Sequence, residues 1–132
     1  MIPKFRVWET DRKAMHYTDK NLVVCFSDNG VDVIDHTTFS SSCMDIDNFE
    51  LMQSTGLFDL DGNEIYIGDI LKMKDGYTQV VFHEDNTTYG IYLEDKEGGG
   101  NPISDYSTRI SLNHIKGTIE GNKYEHPHLL KE

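Results

Sequence analysis

The sequence predicts a mainly β protein: an N-terminal antiparallel sheet followed by a small, strongly bent SH3-like β-barrel, with little helix. Three observations carry this reading. Apolar runs rich in Val, Ile, Phe and Tyr recur roughly every 8–12 residues, with Gly, Asn and Asp between them. Within most runs apolar and polar residues alternate, the period of a half-buried strand. A long stretch without Gly or Pro, residues 31–55, shows no convincing helical period.

Taken in order, Phe5 and Val7 alternate with Arg6 and Trp8 as a first strand, and Ala14, Met15, His16 and Tyr17 can return beside it. Leu22, Val23, Val24, Cys25 and Phe26 form a continuous apolar run, too short for a helix and rich in β-formers, so a buried strand is expected. Asn29-Gly30 then marks a hairpin, because both residues tolerate positive φ, and Val31 and Val33 resume the alternation. These four pieces make the N-terminal sheet. Residues 35–50 read as a connector.

Phe49 and Leu51 alternate into a bend at Thr55-Gly56, and Asp61-Gly62-Asn63 is a tight turn. Ile65 and Ile67 lead to Gly68, a bulge or close backbone approach, where Asp69 is placed to accept backbone N–H groups. Asp75-Gly76 turns the chain into Tyr77, Gln79, Val80, Val81 and Phe82, and Tyr89 to Leu93 makes the next strand. Residues 94–102 carry charges and Gly98-Gly99-Gly100, which predicts a mobile loop. Thr108, Ile110 and Leu112 alternate once more, and Ile115, Gly117 and Ile119 share one face of a last strand. The run from 68 to 120 is thus a barrel of about five strands. The organisation is an N-terminal β region, 1–48, and a central and C-terminal barrel region, 49–132.

At 132 residues the chain is one domain's worth and can bury a core without covalent staples. It contains no apolar run long enough to span a bilayer as a helix and no signal-like N-terminus, so the expected location is the cytoplasm of a bacterial host cell, with no membrane partner. Cys25 and Cys43 lack metal or redox spacing and are expected as reduced, buried small hydrophobes. Twenty-three acids against twelve bases give a formal charge of −11, which argues against direct nucleic-acid binding, since phosphate contacts rest on Lys and Arg. The same sign fits an acidic mimic of nucleic acid that occupies a DNA-binding protein.

No catalytic constellation stands out. Counted from Asp59 as an EF-hand loop, Gly62 falls at the fourth position and Ile70 at the twelfth, where calcium needs Gly at the sixth and Glu at the twelfth. The six histidines show no zinc spacing, and His126-Pro127-His128 offers only two adjacent ligands. Ser40-Ser41-Ser42 lacks the glycines of a nucleophile elbow, and the triple glycine has no Lys-Ser/Thr after it. Tyr77, Phe82, Tyr89 and Tyr92 could stack on bases, but Glu84, Asp85, Glu94 and Asp95 share their window, so core and rim packing is the stronger reading. No cofactor, no metal and no enzymatic activity are expected.

Three blocks carry a family resemblance. Lys4-Phe5-Arg6-Val7-Trp8 with Lys13-Ala14-Met15, the stretch from Met52-Gln53-Ser54-Thr55-Gly56-Leu57 to Gly68-Asp69-Ile70, and the tail from Gly121-Asn122 to Pro127 and Leu130 together resemble the YopX-like proteins of bacteriophages and prophages. The residue before Gly68 is Ile67 where that family usually has an acid, and Lys123 follows the closing Gly-Asn. The resemblance implies a β-rich phage or prophage accessory protein that assembles as a homo-oligomer, with no catalytic residues to carry over. It makes Thr55, Gly56, Asp61, Gly62, Gly68, Asp69, Gly121, Asn122 and Pro127 structural positions. The resulting expectation is a non-enzymatic oligomeric interaction module that binds a host or phage protein. The alternatives are an acidic nucleic-acid mimic or regulator of a DNA-binding protein, and a small uncharacterised enzyme. Residues 98–102 and the turn at 56–63 are where contacts are expected.

Overall fold

A computed structural model describes residues 4–35, 44–85, 89–109 and 111–131. Among the described residues there are twelve strands and two single-turn 3-10 helices, and no α-helix. The chain divides into two compact units, Met1–Gln53 and Ser54–Glu132. The boundary falls inside one long strand, a few residues beyond the division at 48/49 read from the sequence.

In the first unit, β1 (Phe5–Glu9) and β2 (Ala14–Tyr17) form a hairpin, and β1 also pairs with the first half of β6 (Phe49–Phe58). The hairpin turns through Lys13, the only described non-glycine residue at positive φ (54°). A second sheet holds β3 (Leu22–Ser27), β4 (Gly30–Asp35) and β5 (Met44–Ile46) in that order. The N-terminal strands are therefore antiparallel as expected but divide between two sheets. The tight turn lies at Asp28 and Asn29, one residue before the Asn-Gly step, and Gly30 opens β4 at a φ of 120°. Val7, Leu22, Val33 and Ile46 bury against one another, each worth about 1.5–3 kcal/mol over exposure. β5 lies inside the stretch read as a connector, whose residues 36–43, with Cys43 and the three serines, are outside the described residues.

In the second unit the far half of β6 pairs with β7 (Glu64–Tyr66), and a separate sheet contains β8 (Asp69–Met73), β9 (Gly76–Glu84), β10 (Tyr89–Glu94), β11 (Gly100–Pro102) and β12 (Thr118–Asn122). Its order, β11-β10-β9-β8-β12, is that of a meander closed by the last strand, strongly curled into a half-barrel as the sequence predicts. Ile65, Leu71, Val80, Leu93, Ile103 and Ile115 are its core, all 5% exposed or less.

Two local expectations fail. Residues 94–102 are not a loose loop: Asp95 Oδ1 accepts the N–H groups of Glu97 and Gly99 at 2.9 and 3.0 Å, tying β10 to β11 in a closed hairpin. The alternation at Thr108 and Leu112 does not make a strand. The Thr108 hydroxyl takes the Ser111 N–H and donates to the Ser111 carbonyl, closing a turn, and Leu112 is 82% exposed. Ile110 lies outside the described residues.

Candidate functional site

The motif positions come together in the second unit, and they bind backbone. Along β6 the register shifts between Ser54 and Leu57, a bulge at Thr55-Gly56 with Gly56 at a φ of 76°. The two hydroxyls beside it replace the interrupted ladder. Ser54 accepts the Gly56 N–H at 3.0 Å and bonds the Glu64 carboxylate, while Thr55 accepts the Leu57 N–H at 3.1 Å and donates to the Ile65 carbonyl at 2.7 Å.

The next turn is organised by a residue the sequence reading weighed only as the start of a calcium loop. Asp59 is fully buried; its Oδ1 accepts the N–H groups of Asp61 and Asn63 at 2.9 and 2.8 Å, and its Oδ2 accepts the Ile119 N–H at 2.9 Å. Asp61 itself is exposed, and Gly62 turns the chain at a φ of 86°. The signal was an Asx turn, an acid two residues ahead of a backbone N–H it can bond. Its reach across 60 residues to Ile119 has no local trace.

Gly68, at a φ of 97°, donates its N–H to the Val80 carbonyl at 2.8 Å and accepts the Lys123 N–H at 2.9 Å. Asp69, 2% exposed, accepts the Tyr66 N–H at 2.8 Å, the role expected of it. In the β8–β12 register Gly121 faces Ile70 and Asn122 faces Asp69, so the central and closing blocks are paired neighbours. Asn122 accepts the Tyr124 and Glu125 N–H groups and donates to the Glu125 carboxylate, and its own N–H reaches His126 Nδ1 at 3.3 Å. The His126 ring lies where a side chain on Gly121 would sit. Pro127, exposed, starts the 3-10 turn Pro127–Leu130.

The first unit holds a second polar cluster. The register places Val7 opposite His16 and Glu9 opposite Ala14, so Glu9 and His16 are diagonal neighbours on one face. Glu9 Oε2 accepts Arg12 Nε at 2.7 Å, Glu9 Oε1 lies 2.9 Å from His16 Nε2, and Asp35 Oδ2 is 3.8 Å from His16 Nδ1. Burial by itself would raise the Glu9 carboxyl, but hydrogen bonds from Arg12 and His16 outweigh it and hold the pKa below the ordinary 4.5. His16 also borders an open hollow of about 190 Å³ with Met15, Tyr17, Lys20, Asn21 and Leu22. Three strands converge to form this cluster, which sequence spacing does not show. Among the described residues no three His, Cys, Asp or Glu side chains are grouped to hold a metal ion.

The outward surfaces are apolar in places. The four aromatics of β9 and β10 split by alternation: Phe82 and Tyr89 stand on one face of the pair, Tyr77 and Tyr92 on the other. They therefore form no common stacking platform. Phe82 and Tyr89 are 44% and 75% exposed, with rings edge-on at 5.4 Å, and Ile91 continues their face toward the core. On the other face His83 lies 2.5 Å from the Glu94 carboxylate, with its ring against Tyr92. Phe26 is 59% exposed at the tip of the β3–β4 hairpin, and Cys25 beside it is a free, exposed thiol, not the buried residue expected.

Comparison with other proteins gives a consistent result. The sequence profile of the YopX protein family matches residues 4–131. The crystal structure of protein EF1440 from Enterococcus faecalis is similar to this chain, with a TM-score of 0.64 and 24% identity over 99% of both chains. No curated protein matches the sequence. No helix among the described residues is long and apolar enough to cross a membrane.

Proposed function

The chain belongs to the YopX protein family, and from that premise we propose that it is a non-enzymatic accessory protein of a phage or prophage, an interaction module that self-associates and docks a host or phage protein in the cytoplasm. The observation that carries this reading is the exposed Phe82–Tyr89 pair at the end of the β9–β10 hairpin. Large aromatic side chains facing water are the anchors that protein interfaces bury. The polar motif side chains support the same reading, because their acceptor oxygens are occupied by main-chain N–H groups.

The test is an affinity pull-down of the tagged protein from nuclease-treated host extract, beside an F82S/Y89S variant, with light scattering on both. A nuclease-resistant partner recovered by the natural protein and lost by the variant is the expected result. Recovery of the protein alone, and as a monomer, overturns the proposal. A basic DNA-binding protein released by moderate salt would favour mimicry, to which the charge of −11 is suited.

A further inference from the structure

Three rungs of the β9–β10 ladder bear on what the Phe82–Tyr89 face can recognise. Val80 pairs with Leu93, Phe82 with Ile91 and Glu84 with Tyr89, and all six side chains share one face. The first rung is buried in the core. The second is half-buried at Ile91 and open at Phe82, and both members of the third are exposed. In steps of about 7 Å the face thus passes from hydrocarbon to aromatic to carboxylate. The Phe82 and Tyr89 rings lie 75° apart with centroids at 5.4 Å, two walls of an open corner, and Glu84 stands directly across from Tyr89.

Charge around the corner has one sign. Between Lys74 and Lys96 the sequence holds Asp75, Glu84, Asp85, Glu94 and Asp95 and no Lys or Arg. His83 lies on the opposite face, bonded to Glu94. Glu84 has no hydrogen bond or ion pair among the described residues. The turn Pro127–Leu130 packs against β9 and is followed by the exposed Lys131. The fold does set lysines over aromatic rings, Lys72 over Tyr77 and Lys123 over Tyr124, but among the described residues no cation lies over Phe82 or Tyr89.

An aromatic face attracts a cation within about 6 Å of its centroid, and a nearby carboxylate adds a charge-assisted hydrogen bond. Two rings alone would suit any apolar anchor. Two rings with an unpaired carboxylate in register suit a flat, weakly hydrated cation, which is a guanidinium; an ammonium holds its water more tightly and cannot stack. We propose that this corner receives an arginine side chain from a basic segment of the partner protein, an inference that rests on the docking reading above. The hydrocarbon stem lies along Ile91 and Phe82, and the guanidinium lies against the Tyr89 ring and donates to Glu84.

The test needs no partner. The full chain is titrated with Nα-acetyl-arginine methylamide and with its lysine and citrulline analogues, and the resonances of Phe82, Glu84 and Tyr89 are followed by NMR. Citrulline keeps the shape of arginine without the charge. A saturable shift at all three residues is expected with arginine, about five-fold weaker with citrulline. F82L/Y89L keeps apolar area but removes both π faces, and is expected to weaken arginine binding about five-fold; E84Q should weaken it about two- to five-fold. Equal binding of arginine and citrulline by the natural protein overturns the cation site whether or not the variants fold, and so does arginine binding unchanged in folded F82L/Y89L. No arginine response, with a partner still captured through Phe82 and Tyr89, overturns this inference and leaves docking standing. An arginine response with no partner captured overturns the docking reading and the partner with it, and leaves only the cation site.

Discussion

Replacing Asp59 with alanine separates a structural from a chemical role for the central motif. The carboxylate is fully buried and accepts three main-chain N–H groups, two inside its own turn and one from Ile119 on β12. Asp61 and Asn63 are exposed, so their N–H groups can turn to water, and each lost bond costs about 0.5–1.5 kcal/mol. The Ile119 N–H is partly buried, and leaving it without an acceptor costs about 1–3 kcal/mol. D59A should therefore destabilise the second unit by about 2–6 kcal/mol, a large share of the stability of a domain this size. D59N retains one acceptor oxygen and should lose about half as much, because its amide meets the N–H of Ile119 or of the turn donor to donor. The assay is urea unfolding followed by far-UV circular dichroism, with amide exchange read at Ile119. Trp8 belongs to the other unit, so its fluorescence gives a separate trace. An unfolding free energy for D59A within about 0.5 kcal/mol of the natural protein, with Ile119 still protected, would refute the reasoning.

Glu9 gives a pH prediction. Its folded pKa lies below 4.5, so the unfolded chain takes up the proton first as pH falls; the stabilisation is full above about 4.5 and lost as pH drops through the folded value. E9Q should flatten that acid limb in Trp8 fluorescence melts, and an unchanged pH profile would contradict it. G121A should destabilise by about 1–3 kcal/mol, because a methyl there overlaps the His126 ring; in an H126A background the same change should cost less in the same urea assay, and an equal cost in both backgrounds would rule out this clash. G62A meets open space, so its cost is the positive φ alone, about 1–2 kcal/mol, and a neutral effect would mean the turn relaxes.

What could be read from the sequence was what is local. The alternation of Phe5 and Val7, the glycines at 56, 62 and 68 and the N–H-accepting role of Asp69 are set by period and by φ, both visible within a few residues. Asp59 was not legible as a site because its decisive contact is with Ile119. The Glu9–His16–Asp35 cluster needs the β1–β2 register and an approach from β4 at once. Thr108 and Leu112 misled because their alternation fits a strand, while the Thr108 hydroxyl binds the Ser111 backbone and wins the segment for a turn. The triple glycine suggested a loose loop because glycine permits one, but Asp95 supplies two hydrogen bonds that close the segment into a hairpin.

These placements bear on how the molecule can act. A catalytic group must keep a lone pair or proton available to a reacting atom. Ser54, Thr55, Asp59, Asp69 and Asn122 spend theirs on main-chain N–H groups at bulges and turns, where the ladder would otherwise be broken. Their chemistry serves curvature. Curving the sheet this tightly leaves hairpin ends that project beyond the core, and at those ends alternation continues with no core to bury it. Phe82 and Tyr89 on the β9–β10 hairpin are the consequence: apolar residues in strand register, held by backbone pairing and left facing solvent. The polar motif builds the platform, and on the proposed reading the apolar ends make the contacts, so substitutions at the two should have opposite signatures. Changes at Asp59 or Gly121 should lower stability in proportion to any loss of binding, whereas changes at Phe82 or Tyr89 should alter association and leave unfolding midpoints where they were.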